Sequence, residues 1–397
     1  MAKIGIYGGS FNPPHEGHVM AAREAIRLLE LDRLLIVPAF LPPHKELPPG
    51  SPDAEGRLAL CRLAFSSVPG AEVCDLEIRR QGISYTVDTL ESLHARYPGD
   101  ELVLLMGTDM LCSFRNWYCP DQIARLATLA VMYRTQEPEE ARLVAETEAI
   151  RTQLRGHVEL VENQCVEISS STVRRLIAMD CAQTYLPRPV YDAIRTHGYY
   201  ACGQNWKQLP FEKLMEASLS LHKPQRVPHV IGCCQTAEQL ARRWGADPEA
   251  ARRAGILHDV TKALEETQQL LLCQRYDIIL TNFERSNPKL LHAKTGAAVA
   301  EHIFGESPLV CDAIFWHTTG KADMTLLEKI LYIADYMEPN RDFEGVQTLR
   351  RLVWEDLDAA LLEGFAMSLE LLKSRGKPVD PNSLQAWQYL SQERMKQ

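Results

Sequence analysis

Residues 8–18 of the chain read Gly8-Gly9-Ser10-Phe11-Asn12-Pro13-Pro14-His15-Glu16-Gly17-His18. Before them, residues 3–7 form a short apolar run that is typical of a buried strand. After them, residues 19–29 carry apolar side chains at the spacing of an amphipathic helix. In α/β proteins, a glycine-bearing turn between a strand and a helix presents backbone N–H groups to phosphate. The stretch therefore predicts an α/β domain with a phosphate site at its first turn.

The glycines and histidines of this stretch suit a nucleotide site. Gly8 and Gly9 allow a ligand to approach the backbone without a side chain in the way. His15 and His18 are three residues apart at the start of the helix, so both rings can face the same side. Two donors beside a helix N-terminus suit the negative charge of a triphosphate under attack. The dinucleotide fingerprint Gly-x-Gly-x-x-Gly is absent, and a tight turn with surface histidines is the alternative.

Composition limits the class of protein. A length of 397 residues favours two domains, and 46% hydrophobic with 24% charged residues is ordinary for a soluble globular protein. The net charge of −9 argues against non-specific nucleic-acid binding and against a basic membrane-binding face. The 11 cysteines include no Cys-x-x-Cys pair, so we expect reduced thiols. No apolar run has the length of a membrane span or of a signal-peptide core, so we expect a cytoplasmic protein, with homo-oligomerisation left open.

Further apolar runs in the first 200 residues predict the remaining strands. They lie at 34–38, 71–78, 101–106 and 126–133, with a short edge strand at 158–161. Helices are predicted at 57–66, from Ser84 onward, at 135–155 and after residue 168. This alternation predicts a Rossmann-like parallel sheet with helices on both faces.

Several polar and aromatic residues follow these strands, on the ligand side of such a sheet. His44 and Lys45 follow the second strand in a proline-rich loop, where a solvated lysine is the alternative. Asp109, after Gly107, is placed to contact ribose or a magnesium-bound phosphate, and Trp117 offers a flat surface for a pyridine ring. The hydroxyls of Ser169, Ser170 and Ser171 either cap a helix or bind phosphate, with Arg174 adding a fixed charge one turn later.

In this order and spacing, these motifs resemble bacterial nicotinate-mononucleotide adenylyltransferases over about the first 200 residues. The resemblance implies that ATP and nicotinate mononucleotide, with Mg²⁺, give the dinucleotide and pyrophosphate without a covalent intermediate. The protein would then catalyse the reaction by positioning the substrates and stabilising the developing charge. A relative that uses another acceptor phosphate, such as phosphopantetheine, is the alternative, but the aromatic residues Tyr85 and Trp117 argue against it.

The resemblance also implies roles for individual residues. His15, His18 and Arg174 would act on the ATP phosphates as catalytic groups. The implied ATP site comprises Gly8, Gly9, Ser10, Phe11, Gly107, Asp109, Ser169, Ser170, Ser171 and Arg174. The implied nicotinate nucleotide site comprises Lys45, Tyr85, Thr86, Trp117 and Arg134. Ser84 stands where the family often has threonine, and Thr135-Gln136 replaces the usual Pro-Gly, so the preference for nicotinate over nicotinamide stays open.

The pattern changes after residue 201. We predict one domain at 1–201, a linker at 202–209 and an all-α domain at 210–397. The predicted helices of the second domain lie at 212–222, 226–244, 248–258, 262–275, 290–303, 309–315, 325–337 and 356–374.

Imidazole and carboxylate side chains recur on these helices. Both are ligands for iron, manganese or zinc. The candidate metal ligands are His229, His258, Asp259, His292, His317 and Asp335. On a helix, adjacent His258 and Asp259 would point about 100° apart, so both bind metal only if it lies between them, with Asp259 able to bridge. Four histidines and two aspartates suffice for two metals that activate water for phosphoryl displacement. We expect His222 and His302 to be structural or surface residues.

This ordered set resembles the HD phosphohydrolase superfamily. Residues 317–321 and 334–341 are more narrowly similar to the bacterial HD family that splits diadenosine tetraphosphate into two ADP, over about residues 210–390. The resemblance implies Asp259 as a catalytic group, with Lys262, Glu338 and Arg341 on the phosphate side. It also implies two transition metals, iron first and manganese or zinc as alternatives, and dinucleoside polyphosphates as substrates.

Together the two resemblances predict a bifunctional enzyme. Two alternatives for the second half stay open. In one, it senses a nucleotide without cleaving it. In the other, it acts on another phosphate, such as a deoxynucleoside triphosphate or a cyclic dinucleotide.

Overall fold

The computed structural model of the chain describes residues 1–43, 46–133 and 140–396. The chain divides into two compact units, Met1–Gln204 and Asn205–Gln397. The division falls within the segment 202–209, for which a linker is predicted. In the described residues, no helix combines the length and the apolar character that crossing a bilayer requires.

The first unit is built on a six-stranded parallel sheet. Its strands are β1 (Lys3–Gly9), β2 (Arg33–Pro38), β3 (Ala71–Val73), β4 (Glu101–Gly107), β5 (Thr128–Met132) and β6 (Val158–Val161). They lie in the order β3-β2-β1-β4-β5-β6. β1 pairs in parallel with both β2 and β4, so the strand order reverses between β1 and β4. The sheet confirms the predicted Rossmann-like fold and places a ligand crevice at the ends of these two strands.

Helices connect these strands. Their bounds are α1 (Glu16–Leu28), α2 (Ala54–Phe65), α3 (Leu76–Arg80), α4 (Thr86–Arg96), α5 (Thr108–Leu111), α6 (Pro120–Leu126), α7 (Glu140–Ala149), α8 (Ser170–Ala178) and α9 (Arg188–His197). Residues 102–107 of β4 are all buried, and successive side chains of a strand point to opposite faces. Both faces of the central strands are therefore covered, as their continuous apolar sequence predicts.

The predicted strand at 71–78 is wrong in its second half. The strand ends at Val73, and α3 begins at Leu76. β3 pairs only with β2, at the edge of the sheet, so few ladder hydrogen bonds hold it extended. The alternation of apolar and polar side chains over 71–78 is compatible with a strand. In the structure, however, residues 76–80 form α3, which buries the side chains of Glu77 and Ile78.

The second unit is helical throughout its described residues, which confirms the predicted all-α class. Its helices are α10 (Phe211–Ser220), α11 (Val227–Trp244), α12 (Pro248–Leu257), α13 (Glu266–Arg275), α14 (Asn282–Ser286), α15 (Leu291–Val299), α16 (Pro308–Trp316), α17 (Leu326–Met337), α18 (Val346–Glu355), α19 (Leu357–Ser374) and α20 (Pro381–Lys396). A wider turn at Ala300–Phe304 extends α15. The sequence prediction omitted α14, α18 and α20, although Val346, Leu349 and Val353 have the spacing of one helix face.

Close packing of α11 against α12 forms the centre of this unit. Gly255 of α12 lies against the backbone of Cys234 in α11, and an added Cβ would stand 2.6 Å from Cys234 Cα. A larger residue at position 255 would push the two helices apart. This approach holds His229, near the start of α11, beside His258, which follows the end of α12.

Candidate functional sites

A cavity of about 620 Å³ opens where the strand order of the first unit reverses. It is lined by most of the residues predicted for the two nucleotides. These are Gly8, Gly9, Ser10, Phe11, His15, His18, Tyr85, Thr86, Gly107, Asp109, Trp117, Ser169, Ser170 and Ser171. Lys45 and Arg134, also predicted to bind substrate, lie outside the described residues. Arg174 is not a lining residue and lies behind the turn that follows β1.

His15 and His18 lie side by side at the start of α1. Their ring centroids are 3.7 Å apart, and the rings are inclined by 34°. The backbone N–H of His15 donates to Nδ1 of His18 at 3.2 Å. This bond places the ring proton of a neutral His18 on Nε2, which is then a donor. The structure thus brings both histidines to one cavity wall, at a helix N-terminus whose dipole favours anions.

The start of α8 is fixed to the turn at residues 12–13. Ser170 Oγ donates to the carbonyl of Pro13 at 3.0 Å, and Arg174 Nη1 donates to the carbonyl of Asn12 at 2.5 Å. Burial lowers the pKa of Arg174. Ser169 accepts from the backbone N–H of Thr172 at 3.2 Å, so it caps the helix as the structural alternative predicted. These contacts hold the helix start beside the histidine-bearing turn.

Aromatic side chains line another part of the cavity. The rings of Tyr85 and Tyr118 lie 4.7 Å apart, and Trp117 packs on Phe114 with centroids 5.4 Å apart. Tyr118 is 57% exposed and was absent from the sequence prediction, although it is the neighbour of Trp117. The adjacent aromatic residues Trp117 and Tyr118 are the sequence feature that could have indicated Tyr118. The arrangement offers flat surfaces to a planar ring.

The second unit gathers its six candidate ligands at one place. His229 lies on α11, His292 on α15, His317 at the end of α16 and Asp335 on α17. His258 and Asp259 lie in the turn after α12, not within a helix as predicted, because α12 ends at Leu257. In that turn, both side chains reach the same centre.

Asp259 lies between two groups of histidines. Its Oδ2 atom is 3.5 Å from His258 Nε2 and 3.7 Å from His229 Nε2. Its Oδ1 atom is 3.2 Å from His292 Nε2 and 3.7 Å from His317 Nε2. On the first side, Asp335 Oδ1 lies 3.0 Å from His229 Nε2. The set divides into His229, His258 and Asp335 on one side and His258, Asp259 and His317 on the other, with His292 next to Asp259.

All four histidines turn the same nitrogen toward this centre. Nδ1 of His258, His292 and His317 contacts a backbone carbonyl at 2.7, 2.6 and 2.6 Å, and Nδ1 of His229 contacts Glu338 Oε1 at 3.0 Å. Such contacts fix the tautomer that leaves Nε2 with a lone pair, as in metal-ligating histidines. Asp259 Oδ1 and His317 Nε2 are buried and have no hydrogen-bond partner among the described residues. The donor set therefore fits divalent transition metals.

The carboxylates at this centre are ionised. Although burial raises the pKa of Asp259, the neighbouring His258, His292 and His317 hold it well below its usual range. Burial likewise opposes ionisation of Asp335, but His229, His258 and Arg341 keep its pKa well below the usual value.

The histidines of the centre differ in pKa. Burial lowers the pKa of His292 to about 4, so this ring is neutral. Burial also disfavours the charged form of His258, but the neighbouring Asp259 carboxylate outweighs it and raises the pKa of His258 well above the usual range. Metal binding at His258 therefore requires loss of its proton.

Cationic side chains surround the two carboxylates. Arg226 donates to Asp259 Oδ2 through Nε at 2.8 Å and through Nη2, and Arg341 donates to Asp335 Oδ1 at 2.8 Å. Lys262 Nζ lies 2.9 Å from His292 Nε2. Arg226 was not assigned a role from the sequence, although it precedes His229 by three residues, within one helical turn.

Glu338, predicted on the phosphate side, is 1% exposed. Its carboxylate contacts His229 and accepts from the backbone and side chain of Asn340 at 2.7 and 2.8 Å. Gly232 of α11 leaves the space that this carboxylate occupies. The structure thus places Glu338 behind His229.

Two protein families match this chain. Residues 6–176 match the family described as cytidylyltransferase-like, and residues 226–340 match the HD domain. The "Probable nicotinate-nucleotide adenylyltransferase" of Carboxydothermus hydrogenoformans is 35% identical over 200 residues, which is 50% of this chain and 98% of the relative.

Two further relatives are similar to part of the chain. The "Bis(5'-nucleosyl)-tetraphosphatase, symmetrical" of Bacillus subtilis is 38% identical over 168 residues, which is 42% of this chain and 89% of the relative. A crystal structure from Clostridium acetobutylicum, described as a "predicted HD superfamily hydrolase involved in NAD metabolism", is 35% identical, with a TM-score of 0.45. The match covers 47% of this chain and 98% of the chain in that crystal structure.

Proposed function

We propose that this chain, which belongs to the nicotinate-nucleotide adenylyltransferase family and also carries an HD domain, is a bifunctional enzyme of nucleotide metabolism. Its first unit transfers AMP from ATP to nicotinate mononucleotide, giving nicotinate adenine dinucleotide and pyrophosphate. Its second unit hydrolyses diadenosine tetraphosphate to two ADP.

One observation supports the adenylyl transfer above all: His15, His18 and the start of α8 line the same cavity as Tyr85 and Trp117. A phosphate oxygen of nicotinate mononucleotide attacks the α-phosphorus of ATP, and the bond to pyrophosphate breaks. The two histidines stabilise the charge that develops on the phosphates, and the helix N-termini add their partial positive charge. Mg²⁺ enters with ATP. The aromatic residues hold the pyridine ring.

Turnover of ATP with nicotinate mononucleotide tests this assignment. Pyrophosphate release and dinucleotide formation are measured for the wild-type protein, for His18→Ala and for His94→Ala, which alters an exposed histidine on α4. We expect loss of dinucleotide formation only in His18→Ala. Equal turnover in all three proteins would exclude a catalytic role for His18. Nicotinamide mononucleotide as the acceptor measures how strictly the acid is preferred.

For the second unit, the position of Asp259 between two histidine groups is the observation that supports a two-metal phosphohydrolase. One metal would be held by His229, His258 and Asp335, and a second by His292 and His317, with Asp259 within reach of both groups. When bound, such metal ions act as Lewis acids and activate water for attack on phosphorus. Iron is the first candidate, and manganese and zinc accept the same donors.

The cationic residues around this centre provide the phosphate contacts. Arg341 and Lys262 neutralise the charge of the polyphosphate, and we add Arg226 to this group because it reaches Asp259 from the partly exposed side. Glu338, placed behind His229, orients the metal ligand and does not touch phosphate. The choice of diadenosine tetraphosphate rests on the resemblance of residues 317–321 and 334–341.

A product analysis tests the substrate assignment. The protein is incubated with diadenosine tetraphosphate before chelation, after chelation and after return of iron, manganese or zinc, and the nucleotides are separated by chromatography. ADP as the sole product, lost on chelation and restored by metal, is the expected result. ATP with AMP would contradict symmetrical cleavage. No turnover would exclude this substrate, and deoxynucleoside triphosphates and cyclic dinucleotides would be assayed next.

A further inference from the structure

The segment that leaves β2, residues 39–41, lies between two loops of the nucleotide cavity. On one side, the N–H of Ala39 donates to the carbonyl of Gly9 at 2.9 Å. On the other side, the N–H of Ser84 donates to the carbonyl of Leu41 at 2.9 Å, and Leu41 forms a parallel bridge with Ile83. Gly9 is the last residue of β1, directly before the loop of residues 10–15 on the phosphate side, and Ser84 precedes Tyr85 and Thr86 on the acceptor side. Residues 39–41 therefore contact both half-sites.

Arg57 joins the same segment to the phosphate-side loop. It lies on α2, and its side chain is fully buried. Nη1 donates to the carbonyl of Ser10 at 2.9 Å, and Nη2 donates to the carbonyl of Phe40 at 2.9 Å. A single planar guanidinium thus sets the distance between residue 10 and residue 40.

The N–H of Phe40 continues the connection to the acceptor side. It donates to Ser84 Oγ at 2.9 Å. The nearby Glu77 carboxylate accepts from Thr89 Oγ1 at 2.6 Å, and the Ser84 hydroxyl lowers the pKa of Glu77 against the effect of burial. Ser84, Glu77 and Thr89 are 8%, 6% and 3% exposed. The backbone N–H and the backbone C=O of Phe40 are therefore each held by a buried side chain, the N–H by Ser84 and the C=O by Arg57.

Burying these two ionisable groups is costly, which argues that they do more than fill space. Desolvation lowers the pKa of Arg57, and desolvation raises the pKa of Glu77 against the hydrogen bonds from Thr89 and Ser84. The guanidinium of Arg57 donates to two backbone carbonyls, and its Nε atom has no partner among the described residues. An apolar side chain would stabilise this core position at lower cost, but would not hold the two loops at a fixed distance.

We propose that Arg57, the backbone of Phe40 and Ser84 form a continuous hydrogen-bonded bridge that couples the ATP side of the cavity to the acceptor side. Its members are positioning residues for adenylyl transfer, so the inference rests on the proposed function of this unit. Because the two substrates must meet in line for phosphoryl transfer, a bridge between their loops fixes the geometry that the reaction requires. Disturbing the bridge at one end therefore changes the binding of the substrate at the other end.

The test uses full-length protein with single substitutions at the two ends. Ser84→Ala removes one hydroxyl on the acceptor side, and Arg57→Lys keeps the charge but loses the two-pronged contact. We expect Ser84→Ala to raise the KM for ATP, and Arg57→Lys to raise the KM for nicotinate mononucleotide, each by about fivefold, the value of one hydrogen bond. Ser92→Ala, whose hydroxyl donates to the carbonyl of Asp88 at 2.7 Å within α4, is the matched control.

The double variant Arg57→Lys/Ser84→Ala decides between coupling and independent effects. A bridge predicts that the combined loss is smaller than the product of the two single losses, because either change breaks the same connection. If each substitution alters only the KM on its own side and the effects multiply, the inference is wrong. The dissociation constant for ATP alone, measured by calorimetry, distinguishes a failure of the proposed function from a failure of the bridge. Wild-type protein that binds ATP without forming dinucleotide would contradict the proposed function, whereas unchanged ATP binding in Ser84→Ala would contradict the bridge.

Discussion

Nδ1 of His229 lies 3.0 Å from Oε1 of Glu338, while Nε2 of the same ring lies 3.0 Å from Oδ1 of Asp335. The buried carboxylate therefore holds the ring so that its other nitrogen faces the candidate metal centre. Carboxylates in this position orient ligating histidines and raise their basicity. The relationship gives Glu338 a defined physical role, which is to hold the ring of His229 in place.

Replacing Glu338 by alanine should weaken metal binding. Loss of such an outer contact lowers metal affinity by about 10-fold to 100-fold. The change is measured by titrating metal into chelated protein, with Glu344→Ala, which alters an exposed glutamate, as the control. Unchanged affinity together with a raised KM for the polyphosphate would instead place Glu338 on the phosphate side.

The two activities should be lost separately. His18→Ala is expected to abolish dinucleotide formation and to leave hydrolysis of diadenosine tetraphosphate intact, since His18 lines the cavity of the first unit. Asp259→Ala is expected to do the reverse and to lower the bound metal, because Asp259 is shared between the two histidine groups. Both activities are assayed on each variant, with circular dichroism to confirm folding. Loss of both activities in a folded variant would refute the model of two independent sites.

Trp117→Ala should raise the KM for nicotinate mononucleotide about 10-fold and leave the KM for ATP unchanged. The reason is that the indole provides stacking surface for the pyridine ring, and such aromatic contacts are worth about 1 kcal/mol beyond the area they bury. Steady-state kinetics with each substrate varied in turn measures the difference. Trp354→Ala, at a 39% exposed tryptophan of the second unit, is the control. An equal rise in both constants would indicate that Trp117 supports the fold of the cavity.

Stability of the second unit should fall in mild acid through His222. Burial lowers the pKa of this histidine to about 4, from an ordinary value of 6.5. Between these two values the unfolded chain binds the extra proton, so the free energy of unfolding decreases as the pH falls from 6.5 toward 4, by about 3 kcal/mol in total. Above pH 6.5 this contribution is constant.

Denaturant unfolding of chelated protein at several pH values measures this slope. His222→Asn removes this titrating group and should reduce the slope over the same range, leaving the part that belongs to His292, whose pKa burial also lowers to about 4. His302→Asn alters an exposed histidine and should leave the slope unchanged. A wild-type slope retained in His222→Asn would assign the acid sensitivity to other groups.

Much of both folds could be predicted from local patterns. Continuous apolar runs identified the buried strands β2 and β4, and helical spacing identified most helices of the second unit. The prediction was wrong after Val73, because a short alternating run satisfies either a strand or a helix turn until its neighbours are known. The position of β3 at the edge of the sheet, where it pairs with β2, decides where this strand ends.

In the candidate sites as well, some residues could be predicted from local sequence and others could not. Fourteen of the residues that line the nucleotide cavity, and the histidines around Asp259, could be named because their chemical types recur in motifs within a few residues. Arg57 and Glu77 could not be named in this way. An arginine on a helix is ordinarily solvated, and no neighbouring residue in the sequence indicates that Arg57 bonds to Ser10, which is 47 residues away.

The amino-acid sequence by itself therefore determined most of the strands and helices, the two classes of domain and the chemical groups available at each site. These properties follow from backbone preference and side-chain chemistry, which act over short distances along the chain. The tertiary structure alone decided that Asp259 stands between two histidine groups, that Glu338 lies behind His229 and that Arg57 spans Ser10 and Phe40. Each of these depends on burial and on hydrogen-bond geometry between segments that only folding brings together.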